Sequence, residues 1–459
     1  MRPRAGRRAG HRRLRDARRR PVVSAEDGTY HALLARHDAM RLRRRLLSPA
    51  GAGDPGGTSR PAPQETYDGA ADQRLIMSRL DLVAPFDELI TRLYAALFTR
   101  HPALRSLFPA EMEFQQAHLA RAFWYLIEHL DQPGRITETF TQLGRDHRKL
   151  GVRPAQYAAF EQALCEALRS RAGEHWTPDL EDAWVRMLRL GVTAMVRGAD
   201  AALREPACWN ATVTEHRRCG PDLAVLRVRP HEPFRYRAGQ HTAVEHALLP
   251  HTWRPYYVAG EPGRDGELEF HVRCTAPGGV SEALVHRTGT GDPVRLGPPK
   301  GSLALGDDPE GELRLVAWDT GWAAMKALLR EAERRARPAR RVLLFLGADT
   351  PSGLYDTGYA ADLERRRPWL NLVTVAGGAP GEDAYGRLAR AVTRGVTPGS
   401  GRTLVAGPPE MVRAVTGPLL DAGVPAGDVL HDPLPPGPYP VPYAAGGPAA
   451  PLRDRPVPA

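Results

Sequence analysis

The side chains of this 459-residue chain that could do chemistry fall into two groups. Tyr94, Phe108, Gln115, His147 and Tyr157 lie in a long stretch patterned as helix. A neutral imidazole is a strong nitrogen ligand for a metal, and a phenol and an amide can hold a small anionic oxygen species in an apolar pocket. Taken alone, His147 in the polar run RDHRKLG reads as a solvated histidine, and Tyr94 as a core tyrosine with a bonded hydroxyl. The second group is Arg254-Pro255-Tyr256-Tyr257 and, further on, Gly278-Gly279-Val280-Ser281. A planar guanidinium suits a diphosphate. Paired glycines allow close backbone approach, and the helix start after them offers N–H groups to phosphate. The alternative is a β-domain that keeps these residues for structure alone. Cys165, Cys208, Cys219 and Cys274 form no CxxC pair and no zinc spacing, as expected for a chain in a reducing cytoplasm.

The elements that must position these groups change character along the chain. Residues 1–24 read as a disordered basic tail and 25–48 as a short amphipathic helix, with 49–71 a Pro/Gly/Ser/Thr linker. From 72 to 204 apolar residues recur at three and four, with prolines at 102, 109, 133, 154 and 178 where helices start or end. Short β-type runs follow through 307 and predict a six-strand antiparallel barrel over 208–307. From 312 to 432 strands alternate with helices, which implies a doubly wound parallel sheet. Residues 433–459 are a Pro-rich tail. No apolar run reaches the ~18 residues of a membrane span.

The net charge of +10 sits at one end. Residues 1–48 hold fifteen arginines against Asp16, Glu26, Asp27 and Asp38, so the rest of the chain is nearly neutral. That distribution makes a nucleic-acid partner a minor option and leaves weak contact of the tail with an anionic surface as the testable one.

An all-α domain, a β-barrel and an α/β domain in that order resemble the flavohaemoglobin family, a globin fused to a ferredoxin–NADP reductase-type module. LYAALFTRHPALRSLF (93–108) is similar to the B-to-C region of that globin. The resemblance implies haem b, with His147 as the proximal iron ligand and Phe108 packed on the haem face. Tyr94 and Gln115 become the distal donors, Leu119 their apolar partner, and Tyr157 the proximal tyrosine. FRYRAGQH (234–241), Arg254-Pro255-Tyr256-Tyr257 and Gly278-Gly279-Val280-Ser281 resemble the family's FAD motifs. Arg254 would pair with the flavin diphosphate, Tyr256 would pack along the flavin, and Tyr257 stands where the family has serine. GADTPSGLYD (347–356), RPWLNLV (367–373) and the run around Gly407-Pro408 resemble later landmarks of the NAD(P)H half.

The implied activity passes electrons from NAD(P)H through FAD to haem-bound O2, oxidising nitric oxide to nitrate. Three departures stand out. Ala199, with Asp200 beside it, falls where the family has a proximal glutamate. The Gly-rich nicotinamide turn reads Asp319-Thr320-Gly321-Trp322, so that Asp319 and Trp322 occupy the ground of a pyrophosphate. The aromatic expected after His431 is missing, where the chain reads DPLPPGPYP. These departures keep open a globin-based gas or redox sensor with a degenerate reductase half. A flavin reductase with an empty globin is a third reading.

Overall fold

The computed structural model describes residues 67, 69–260, 266–306, 311–335, 341–377, 383–399 and 401–434. The expectations for 1–24, 25–48, most of 49–71 and most of 433–459 lie outside the described residues. Among the described residues, no helix is long and apolar enough to cross a membrane.

Six α-helices come first: α1 (Gly69–Met77), α2 (Phe86–Arg100), α3 (Glu113–Glu128), α4 (Pro133–His147), α5 (Pro154–Ala172) and α6 (Pro178–Ala201). Pro133, Pro154 and Pro178 each stand in the first turn, where the missing N–H costs nothing. Thr177 caps α6 by accepting from Leu180 N at 3.3 Å. The buried faces of these helices meet in one apolar cluster that includes Leu93, Tyr94, Phe123, Trp184 and Met187.

The closest helix crossing is that of α4 on α6. A Cβ added to Gly144 would stand 2.0 Å from Met195 O, and one added to Gly198 would stand 1.9 Å from Thr141 O. Both backbones therefore touch with no side chain between them. The pair of glycines fixes the height and tilt of α4, whose last residue is His147.

Six antiparallel strands follow: β1 (Trp209–Arg218), β2 (Leu223–Pro230), β3 (His241–His246), β4 (Trp253–Tyr257), β5 (Leu268–Arg273) and β6 (Pro293–Lys300). They pair in the order β4-β3-β6-β1-β2-β5. A bridge from Val258 to Phe270 ties the end of β4 to β5 and closes the sheet on itself.

The last unit alternates β7 (Glu312–Trp318), α7 (Trp322–Arg334), β8 (Val342–Ala348), α8 (Thr357–Arg366), β9 (Leu370–Ala376), α9 (Ala384–Thr393), β10 (Gly401–Ala406), α10 (Pro409–Asp421) and β11 (Val429–Leu430). The parallel order β11-β10-β7-β8-β9 puts a reversal of winding between β7 and β10. In open α/β sheets, ligands bind outside the carboxyl ends of the strands at such a reversal.

Overpacking at the α4–α6 crossing gives a direct test. Gly144→Ala and Gly198→Ala each lower the free energy of unfolding by about 1–3 kcal/mol in denaturant titrations, because a backbone must move. Gly134→Ala, where an added Cβ meets nothing within 4 Å, leaves stability unchanged or slightly raised.

Candidate functional site

His147 ends α4, where its Nδ1 lies 3.0 Å from Leu143 O. A carbonyl can only accept, so Nδ1 carries the proton and Nε2 keeps a bare lone pair. Burial pushes the imidazole down to about 4, so it is neutral at physiological pH. A neutral, oriented imidazole with a free Nε2 is the donor that an iron porphyrin requires.

Two further polar groups have no hydrogen-bond partner among the described residues. Tyr94, buried on α2, makes no hydrogen bond among the described residues, and burial pushes its phenol well above the usual range. Its ring stacks on Phe98 at 5.8 Å and meets Phe108 edge-on at 5.5 Å. Gln115 Oε1, in the first turn of α3, is buried without a hydrogen bond. Leu119, one turn on, packs on the same apolar cluster as Phe108 and Tyr157. The Tyr157 phenol, on α5, is pushed up to about 12 by burial. Asp200 is exposed, so no carboxylate from the end of α6 reaches His147, and Ala199 supplies none.

Arg254, on β4, donates to Trp253 O at 2.9 Å and lies 4.6 Å over the Phe114 ring of α3. It makes no ion pair among the described residues, so its charge is free for an anion. Around Gly278, with φ at +75°, an added Cβ would meet nothing within 4 Å, and Gly279 is nearly as open. Val280 and Ser281 are buried behind them at the start of a short helical turn. Gly278 N donates to Glu282 Oε2 at 2.6 Å, a carboxylate holding a donor that a phosphate could take. Tyr256 packs in the barrel cluster, and burial pushes its phenol up. The free guanidinium and the open glycine pair fit a flavin diphosphate.

Tyr257 points the other way and was not legible as a lock. Its hydroxyl donates to Asp432 Oδ2 at 2.9 Å. Ser302 N donates to Asp432 Oδ1 at 2.8 Å, and His241 Nδ1 lies 3.3 Å from Asp432. So the position after His431, where an aromatic was expected, carries a carboxylate that pins β3, β4 and the Ser302 loop together.

Sequence reasoning also missed a seam between the helices and the barrel. Asp146 pairs with Lys300 of β6, and Lys149 lies 5.3 Å over the Trp253 ring of β4. Only three lysines occur in the chain, and two of them are here. That clustering was the available signal.

The third expected site is built differently. Gly321 packs on β10 so closely that an added Cβ would stand 2.2 Å from Ala406 O. At Gly407 an added Cβ would meet Met411 Cε at 2.3 Å and Trp318 Cβ at 3.0 Å, and Pro408 precedes α10. Trp322 corrects the expectation made for it. Its indole lies in the core beneath α7, and Nε1 donates to Asp356 Oδ2 at 3.0 Å. The bulky residue at the strand ends is instead Trp318. These residues do not fit a dinucleotide.

Two family models match the chain: Globin over residues 91–195 and Oxidoreductase FAD-binding domain over 210–305. The flavohemoprotein of Bacillus subtilis is 24% identical over 293 residues, covering 60% of this chain and 72% of that protein. The flavohemoprotein of Bordetella pertussis is 26% identical over 304 residues, covering 61% and 75%. The crystal structure of flavohemoglobin from Malassezia yamatoensis, with bound FAD and heme, superposes with a TM-score of 0.63. It is 17% identical and covers 79% of this chain and 98% of its own. The chain joins a globin to an FAD-binding oxidoreductase domain, the arrangement of the flavohaemoglobins it is similar to. Set against the motifs that the resemblance implies, His147, Tyr94, Gln115 and Arg254 stand at the expected positions, while Ala199 and the β7–β10 reversal differ.

The buried imidazole has a consequence for stability. His147 takes up a proton in the unfolded chain at about 6.5 but in the folded chain only near 4. The ligand-free protein therefore keeps this stability above pH 6.5 and loses it as pH falls toward 4, by on the order of 3 kcal/mol. Subtracting the pH profile of His147→Gln from that of the wild type isolates the slope over this window. Parallel profiles would refute the burial of a neutral imidazole.

Proposed function

We propose that the chain is a haem- and flavin-dependent oxidoreductase that oxidises nitric oxide to nitrate, NO + O2 + e⁻ giving NO3⁻. When bound, haem supplies an iron site for dioxygen and FAD supplies a one-electron relay. The observation that carries the reading is His147, a neutral imidazole with Nδ1–H held by Leu143 O and Nε2 bare, at the end of a helix whose height is set by backbone contact.

The other residues follow from chemistry. Tyr94 stays protonated at neutral pH, so its phenol is a donor toward a small polar ligand in the pocket. The Gln115 amide supplies a second donor once its side chain turns its N–H inward. Phe98 and Phe108 keep water away and raise the worth of both hydrogen bonds. Phe108 would pack on the haem face and Tyr157 line the proximal side. Arg254 would hold the flavin diphosphate, with Gly278 and Gly279 letting it approach the backbone and Val280 and Ser281 shaping the floor. Tyr256 would pack along the flavin. Arg254 also rests on Phe114 of α3, so the group that holds the flavin touches a helix lining the haem pocket.

The test is a single turnover that needs no nicotinamide. Protein holding haem and flavin is reduced with dithionite, desalted anaerobically, and mixed with O2 and then nitric oxide. Nitrate forms at one equivalent per haem or more, up to about three, because reduced FAD holds two further electrons. Haem and flavin both present without nitrate would overturn the reaction, and His147→Ala retaining a Soret band would overturn the ligand. Tyr94→Phe releases O2 about tenfold faster, the worth of one buried hydrogen bond. Arg254→Ala lowers FAD affinity by about tenfold or more while the Soret band persists.

A further inference from the structure

The reversal of winding between β7 and β10 is the place where an open α/β sheet receives its ligand. Here three features meet there. Trp318, the last residue of β7, is 1% exposed. Its ring lies where a side chain at Gly347, on β8, would be, since an added Cβ there would stand 2.2 Å from Trp318 Cε3; one at Gly407, after β10, would stand 2.3 Å from Met411 Cε and 3.0 Å from Trp318 Cβ. Tyr385 of α9 closes on the indole edge-on at 4.8 Å. Glycines at strand ends normally leave room for a ligand to approach the backbone. In this chain the room at Gly347 is taken by its own indole, and the room at Gly407 by Met411 and the Trp318 β-carbon.

The next residue adds charge. Asp319 has φ at +50°, a left-handed conformation that a glycine would adopt without strain. Arg273 Nη2 on β5 reaches Asp319 Oδ1 at 2.7 Å, and the same guanidinium reaches Asp222 Oδ2 at 2.8 Å. One cation between two carboxylates leaves a net negative charge at the mouth of the crevice, where a pyrophosphate would need the opposite sign.

Beside this pair, the barrel is latched to the α/β unit. Lys326 of α7 joins Glu269 of β5 at 2.9 Å and Asp356 at 2.7 Å. His271 donates to Glu269 Oε1 through Nε2 at 2.9 Å and accepts from the Tyr355 hydroxyl at 2.7 Å through Nδ1. These groups are mostly buried and mutually satisfied, so opening the latch would strand several charges at once.

We propose that the dinucleotide crevice is plugged by Trp318 and barred by Asp319, so that NADH and NADPH are not ligands of this chain. The inference stands apart from the nitric oxide reaction, since it concerns neither haem nor the pocket of Tyr94.

The full chain, with haem and flavin confirmed by absorbance, is titrated with NADH and with NADPH by equilibrium dialysis under argon. Neither nucleotide binds saturably up to about 1 mM. The double variant Trp318→Gly/Asp319→Gly, still holding flavin, gains saturable binding of one equivalent with a Kd of about 0.1 mM or below. Should removal of the indole unfold the domain, Trp318→Ala/Asp319→Gly keeps a β-carbon in the core and is read in the same way. Saturable binding to the wild type would overturn the proposal, and so would a flavin-loaded variant that still fails to bind. Neither result would touch the single-turnover nitrate yield.

Discussion

The contact of α4 with α6, backbone on backbone, is the constraint on which the position of His147 depends. A helix held only by long side chains can slide by a rotamer, whereas one seated through Gly144 and Gly198 cannot rise without breaking contact with Met195 O and Thr141 O. His147 lies less than one turn beyond Gly144, so the crossing sets where its ring stands. The bond from Nδ1 to Leu143 O then sets which way the ring faces. Position comes from packing and orientation from a hydrogen bond.

The same helix end is tied forward to the barrel. Asp146 and Lys149 flank His147, and each meets a side chain of the barrel: Lys300 of β6 and Trp253 of β4. Burial pushes Lys149 down to about 8, helped by the like charge of Lys300 and opposed by Asp146. Arg254, the neighbour of Trp253, reaches back to Phe114 on α3. The seam therefore joins both walls of the globin pocket to one strand, β4, which also carries the flavin-type motif. A displacement of β4 would be felt by the imidazole and by the flavin cradle together.

Much of this was legible because it rests on periodicity and local chemistry. The prolines at 133, 154 and 178 mark helix starts in the sequence and stand at helix starts in the fold. At the glycine pair 278–279 an added Cβ would meet little, in keeping with the open backbone that the motif implies. What escaped depends on partners far away in the chain. Asp432 pairs with Tyr257 across 175 positions, and nothing local distinguishes it from any acid in a tail. Trp318 ends an apolar strand and so looks like ordinary core. Only the register of β7 between β8 and β10 brings it against Gly347 and Gly407. Trp322, the tryptophan that looked obstructive, points into the floor of α7 because it is the first inward residue of that helix.

The proximal side shows how a missing carboxylate changes chemistry without changing fold. A carboxylate accepting from Nδ1 makes the imidazole more basic and pushes electron density toward the iron, which favours cleavage of an O–O bond. Here the acceptor is the neutral Leu143 carbonyl, and Asp200 is turned to solvent. Asp146 is the nearest acid in sequence, but its charge is taken up by Lys300. The imidazole of this chain is thus a weaker electron donor, while the distal side keeps a protonated phenol and an unpaired amide to hold a ligand. That balance would suit a pocket whose distal groups hold a ligand while the proximal side contributes little push. On the function proposed above, the drive for breaking the O–O bond would come from the nitric oxide radical and not from the proximal side.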